Sequence, residues 1–193
     1  WDFGLPQAGD EPLFQGYARR FLNAYVPRFG AQNAWTAGRY PARLLAEGNF
    51  APHPQAPKTF EHLACDDRWI EEDGGYAGTE ALMTLKGDVD NLGAIFQSGL
   101  AQPSFAKMAG LSRQLNAFFA VWLPWHCAKA APSTYTVFAG GDDFFLIGPW
   151  RSTIRLAQDM RQAFTRFVAH NPDIHFSAGL AMTKPGLPVR HMG

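Results

Sequence analysis

Ala81-Leu82-Met83-Thr84-Leu85-Lys86-Gly87-Asp88-Val89-Asp90, continuing into Asn91-Leu92-Gly93, is the stretch on which the fold turns. A short apolar run that ends in carboxylates reads as a strand over 81–87, and Asn91 to Gln97 is expected to turn helical behind it. From Phe105 to Leu123, Met108, Leu111, Leu115, Phe118, Phe119 and Trp122 recur at helical spacing, and Pro124 is expected to stop that helix. Thr134 to Phe138 and Phe144 to Ile147 flank a turn containing Gly140-Gly141, which predicts a hairpin. Ile154 to Val168 carries a second amphipathic pattern broken at Asn171-Pro172, and Ile174 to Met182 reads as a closing strand.

Strand, two helices, hairpin, helix, strand is the βααββαβ order of an α+β, ferredoxin-like palm, an antiparallel sheet with helices on one face. If the third strand lies antiparallel beside the first, Asp88 is brought opposite Asp142 and Asp143. Carboxylates converging at a strand end form a hard-oxygen site suited to Mg²⁺ or Mn²⁺, and two such ions support nucleotidyl transfer. Gly140 and Gly141 leave the hairpin tip bare, so that a nucleotide can approach the backbone. Asp90-Asn91-Leu92-Gly93 would present free N–H groups to a triphosphate; Asp90 is alternatively the N-cap of the following helix.

Outward from this core, the N-terminal part is less regular. Leu13, Phe14, Tyr17, Phe21, Leu22 and Tyr25 predict an amphipathic helix from Pro12 to Arg28, ended by Pro27. Three prolines among residues 51–57 mark a boundary, so 1–58 is read as the tail of a preceding, mostly helical unit and 59–193 as the palm. Thr59 is expected to cap a short helix through Ala64, and Asp66 to Thr79 to form a surface loop. The chain starts at Trp1 and stops at Gly193 without a closing helix, the look of a piece of something longer, with the palm truncated at its C-terminus.

Of the 193 residues, 47% are hydrophobic, enough for one core, and the 17 basic and 17 acidic side chains cancel, so no long-range field gathers polyanions or anionic membrane. Cys65 and Cys127 form no Cys-x-x-Cys pair and read as reduced thiols. With no apolar run near the roughly 20 residues a membrane span requires and no secretory leader pattern, the expectation is a cytoplasmic protein without membrane contact.

Leu85-Lys86-Gly87-Asp88-Val89-Asp90-Asn91-Leu92-Gly93-Ala94-Ile95-Phe96 followed by Ala139-Gly140-Gly141-Asp142-Asp143-Phe144-Phe145 resembles the second palm domain of the large subunit of type III CRISPR effector complexes, Csm or III-A subtype. Weaker similarity lies at Lys58 to Ala64, Leu111 to Phe119, Phe176 to Ala181 and Tyr25-Val26-Pro27. The resemblance implies a cyclase that polymerises ATP into cyclic oligoadenylates once the assembled complex has bound target RNA. It implies Asp88, Asp142 and Asp143 as catalytic metal ligands. Asp90, Asn91, Leu92, Gly93, Gly140 and Gly141 would border the nucleotide, and Ser112, Asn116 and Ser177 would contact base or ribose. Its partners would be the small subunit, the backbone subunits and CRISPR RNA. This chain lacks the family's His-Asp nuclease motif and zinc cysteines, and a phosphate-contacting lysine on a final helix would fall past Gly193, leaving Lys184 and Arg190 as substitutes.

Plainer readings compete at several positions. Gly140 to Asp143 is alternatively a polar turn, but the apolar residues after it and the matching Asp88 favour the site. Phe118, Phe119, Trp122 and Trp125 are assigned to core packing rather than base stacking, the six scattered histidines to surface or core, and Ser177 alternatively to structural hydrogen bonding. A diguanylate-cyclase-like GTP cyclase ranks second among functions, because Asp143 stands where a glutamate is usual; a non-catalytic scaffold for protein and RNA is third.

Overall fold

The computed structural model describes residues 25–30, 38–46, 54–102 and 104–186. In chain order these contain α1 (Ala42–Ala46), α2 (Phe60–Cys65), β1 (Trp69–Ile70), β2 (Tyr76–Ala77), β3 (Leu82–Val89) and α3 (Leu92–Ala94), which opens into a π-helical turn at Ile95–Gly99. Then come α4 (Phe105–Ala117), a second π turn (Phe118–Trp122), α5 (Leu123–Ala130), β4 (Tyr135–Gly140), β5 (Asp143–Pro149), α6 (Trp150–Phe167) and β6 (Phe176–Thr183).

The four long strands form one sheet in the order β4-β5-β3-β6, antiparallel throughout, as the predicted palm requires. Side-chain alternation divides its faces. Leu85, Val89, Phe144 and Leu146 point to one side and pack with Leu115, Phe118, Phe119 and Leu123 of the long helical run and with Leu156, Met160 and Phe164 of α6. Phe119 stacks on Phe144 at 5.3 Å between centroids, which ties the helix to the strand that follows the hairpin. The opposite face is not wholly bare: α2 sets Leu63 and Ala64 against Leu82 and Ile147 at one end. The remainder of that face stays open around the carboxylates.

Several local expectations change. Pro124 does not stop the helix, because the π turn immediately before it resets the register, with the Leu123 N–H donating to the Phe118 carbonyl. Proline then occupies the opening of α5, where its missing N–H is tolerated. This continuation turns Trp125 outward, 57% exposed, so it is not the core residue its spacing suggested, whereas Phe118 and Phe119 are buried and Trp122 packs against them. The 66–79 stretch is more than a loop: it folds into the β1–β2 ribbon. The segment expected to be helical from Asn91 gives only one α turn before widening, and α6 begins at Trp150 rather than Ile154.

The predicted 12–28 helix lies outside the described residues except for its end, and there the chain is extended. Tyr25 bridges to Thr136, and Arg28 bridges to Pro57. Thr59 caps α2 as expected, in a reciprocal capping box with His62. Contacts cross the 58/59 division. Asp66, its side chain 4% exposed, accepts from Lys58 Nζ at 2.6 Å, and also from Tyr40 Oη at 2.7 Å and Ser133 Oγ at 2.5 Å. Replacing Asp66 by alanine leaves the Lys58 ammonium buried without its partner, and a loss of about 3 kcal/mol is expected from urea unfolding.

Candidate active site

The register of β3 and β5 pairs Asp88 with Asp143, the juxtaposition the strand order predicted. Asp142 sits at the turn, where its carbonyl accepts the Val89 N–H at 3.1 Å. Gly140 pairs with Asp143, so Gly141 and Asp142 alone make the connection, and Gly141 takes φ +69°. A side chain is disfavoured at that angle, which explains glycine at the first turn position. Ligand oxygens of Asp88, Asp142 and Asp143 lie within 4.8 Å of one another.

Among the described residues none of these three carboxylates has an ion-pair partner. Partial loss of water, then the neighbouring charges of Asp142, Asp143 and Asp90, push the Asp88 carboxyl above its ordinary value. Three unneutralised oxygens this close fit a divalent, oxygen-loving cation. The acidic cluster is compatible with a metal site.

Asp90 is not the N-cap of α3, the alternative role left open for it. Asn91 is the residue at the N-cap of α3, in the left-handed region at φ 53°. Asp90 Oδ2 accepts from Ser177 Oγ at 2.9 Å and stands 3.6 Å from His175 Nε2. Its own N–H donates to the His175 carbonyl at 2.9 Å. Ser177 therefore spends its proton on Asp90, which fastens the end of β3 to β6. Leu92 and Gly93 follow in α3, and nothing lies within 4 Å of where a Gly93 Cβ would stand.

Asn116, expected at base or ribose, accepts the Gly141 N–H with its Oδ1 at 2.9 Å. It holds the hairpin tip to α4. Ser112 lies one helical turn earlier and is exposed. Because Asn116 is solvent-exposed, its replacement by alanine should leave the unfolding midpoint nearly unchanged. The tip would be free to drift, and we expect turnover to fall by about 10-fold with the apparent affinity for metal weakened, read from a Mn²⁺ titration of the rate.

Lys184 follows β6 at the end where Thr183 pairs with Leu82, the opposite end of the sheet from Asp88, so it is no substitute for a phosphate contact at the carboxylates. Arg190 lies outside the described residues. Residues not singled out from sequence complete the surroundings: Lys86, Ala178 and Gly179 line an open cleft of about 320 Å³ with Gly87, Asp88, Asp143 and Ser177. Lys86 was legible by alternation, two residues before Asp88 on the same face. The Gly179 contribution required the β3–β6 register.

Residues 81–193 match the family model described as Cas10/Cmr2, second palm domain. A Cas10/Csm1 single-strand-specific deoxyribonuclease of subtype III-A from Enterococcus italicus is 40% identical over 117 residues, 60% of this chain and 15% of that protein. Its counterpart from Streptococcus thermophilus is 31% identical over 196 residues, 98% of this chain and 24% of that protein. The chain thus spans a quarter or less of the length of these curated relatives. Among solved structures, Csm1 of T. onnurineus aligns with TM-score 0.59 and 26% identity over 79% of this chain and 24% of that one. A Csm1–Csm4 subcomplex of the type III-A interference complex shares the fold at TM-score 0.59 and 24% identity, covering 87% of this chain and 30% of that one. Palm sheet, paired aspartate motifs and these matches converge: the chain belongs to the Cas10/Cmr2 second-palm-domain family, with its likeness on the Csm1, subtype III-A side.

Proposed function

We propose that this chain is the catalytic palm of a subunit that joins ATP molecules into cyclic oligoadenylates within an RNA-guided type III-A complex. The observation that carries the proposal is the set of Asp88, Asp142 and Asp143 oxygens within 4.8 Å on an open sheet face. Each bond would form by attack of a ribose hydroxyl oxygen on the α-phosphorus of the next ATP. The bond from that phosphorus to pyrophosphate breaks, pyrophosphate leaves with the electron pair, and the hydroxyl proton passes to water. Asp88, Asp142 and Asp143 would hold Mg²⁺ or Mn²⁺. Such ions supply Lewis acidity to the phosphates and lower the pKa of the attacking hydroxyl.

The protein's own part is positioning. Gly141 keeps the tip free of side chain, Asn116 fixes its height above α4, and the Ser177–Asp90 hydrogen bond holds the end of β3 beside β6. Solved Csm1–Csm4 cassettes of the same fold contain AMPPNP, pppApApA or cA4, nucleotides of the chemistry proposed. The proposed setting is the cytoplasm, with residues 59–193 as the palm unit and with small and backbone subunits, CRISPR RNA and an activating target RNA as partners. No helix among the described residues is long and apolar enough to cross a membrane.

The test is incubation of the full-length subunit, in its assembled complex with target RNA, with labelled ATP or GTP and Mg²⁺ or Mn²⁺. Cyclic adenylates are expected. A dimer made only from GTP would replace this reading with a diguanylate-type cyclase, and absence of metal-dependent turnover with either nucleotide would leave a scaffold.

A further inference from the structure

α6 sorts its residues by side. Thr153, Leu156, Met160 and Phe164 are buried against the sheet. On the opposite side Arg151, Arg155, Gln158, Gln162 and Arg166 follow one another at steps of three and four residues, which makes one outward line, and all five are exposed. The helix holds four arginines, the fourth being Arg161 beside this line, and its one acid is Asp159. That carboxylate is turned aside toward α5, 3.6 Å from His126 Nε2. Among the described residues none of the four arginines has an ion-pair partner. Because the chain as a whole balances 17 basic against 17 acidic side chains, the line is a local concentration of charge and not part of a general field. The sheet separates it from the carboxylates: α6 packs on the face that carries Leu85, Val89 and Phe144, behind the cleft of Asp88.

From Arg151 to Arg166 the helix rises about 22 Å. A nucleic-acid strand in a duplex carries a phosphate about every 3.4 Å along its axis, so a line of this length faces several phosphates at once. Arginine is the side chain whose planar fork meets phosphate oxygens in pairs. The line offers no aromatic or aliphatic anchor, around which a stable protein interface is built, and phosphate contacts need none. The two glutamines narrow the strand to RNA. A glutamine amide both donates and accepts, as a ribose 2′-hydroxyl does, whereas arginine only donates. We infer that the outward line of α6 is a docking surface for the sugar-phosphate backbone of RNA, with Arg151, Arg155 and Arg166 on phosphates and Gln158 and Gln162 at the 2′-hydroxyls between them. Contacts to phosphate and sugar carry no base information, so the surface holds RNA without regard to sequence. The inference concerns the far side of the sheet from the proposed chemistry and does not depend on the cyclase reading.

The test uses the full-length subunit without any nucleoside triphosphate, a labelled oligouridylate, and an oligothymidylate of the same length. Butanedione modification of arginines, read by mass spectrometry of α6 peptides, locates the contact. Saturating oligouridylate should slow modification of Arg151, Arg155 and Arg166 several-fold. The Arg151→Gln/Arg155→Gln/Arg166→Gln variant should bind oligouridylate about 10-fold more weakly at moderate salt. Its plot of log affinity against log salt should flatten by about 2, three lost contacts at about 0.7 each. Lysine at the same three positions should keep most of the slope, since the charge remains, and lose part of the affinity with the paired hydrogen bonds. Both variants should unfold at nearly the midpoint of the unsubstituted subunit, because the side chains are exposed. Undiminished modification under saturating RNA would overturn the proposal, as would an unchanged salt slope in the glutamine variant. Equal affinity for the two strands would overturn the assignment to RNA. Protection that appears only on assembly with the protein subunits, with no RNA bound, would give the line to an acidic protein partner instead.

Discussion

On the cyclase reading proposed above, changing Asp142 and Asp143 together to alanine should reduce cyclic oligoadenylate formation by at least about 10³-fold, because two of the three carboxylates that would hold the metal are lost. The same substitution should leave the fold intact. Both residues stand at a turn held by backbone hydrogen bonds, and their side chains have no ion-pair partner among the described residues. The pH response separates a repulsive carboxylate cluster from an ordinary turn. The Asp88 carboxyl is raised by partial loss of water and then by the charges of Asp142, Asp143 and Asp90. A folded-state pKa above the unfolded one means that this group favours the folded protein below the unfolded value. That contribution is lost as the pH rises through the folded value. Metal-free subunit should therefore lose slightly more stability between the carboxylate range and neutrality than the double variant does, a small difference because Asp88 is exposed to screening water. Saturating Mn²⁺ should raise the unfolding midpoint of the unsubstituted subunit alone. An equal rise in the double variant, measured by scanning fluorimetry, would place the ion elsewhere.

Gly87→Ala is expected to be the most damaging single methyl group that can be added near the site. A Cβ there would overlap Phe144 Cζ and stand 2.6 Å from the Ser177 carbonyl oxygen. The ring belongs to the packed face, where Phe119 stacks on it and Phe176 meets its edge, so it has little room to turn. The carbonyl belongs to β6 and cannot retreat without opening the β3–β6 ladder. A loss of roughly 3 kcal/mol is expected, at the upper end of ordinary overpacking. Hydrogen exchange provides the check: amides of β6 from Phe176 to Thr183 should lose protection before those of β5. Since Ser177 moves with β6, its hydrogen bond to Asp90 should go with it, and activity should fall even where the protein stays folded. Unchanged β6 protection would show that the strand accommodates the methyl.

Much of the palm was legible because its signals are local and repeat with the period of the element. The apolar run before Asp88, the helical spacing through Phe119 and the Gly-Gly turn each follow from neighbours a few residues apart, and together they imply the topology. The misreadings occurred where distant groups override a local rule. Proline normally ends a helix, but the wide turn at Phe118–Trp122 shifts the register before Pro124 arrives. The same shift sends Trp125 to solvent although its spacing is that of a core residue. Asp66 reads as a loop acid and is buried because Lys58, Tyr40 and Ser133 converge on it from separate parts of the chain.

From sequence alone came the identity of the carboxylates, the strand and hairpin that carry them, and the expectation that they meet, since motif and periodicity are properties of contiguous residues. Tertiary structure decided how the surrounding polar groups are spent. Asn116 accepts the Gly141 N–H, Ser177 donates to Asp90, and Lys86 stands across from Gly179. Those assignments depend on strand register and on the approach of α4 to the hairpin. A one-residue slip would send each strand side chain to the other face, and no spacing within one segment specifies what will stand across from it.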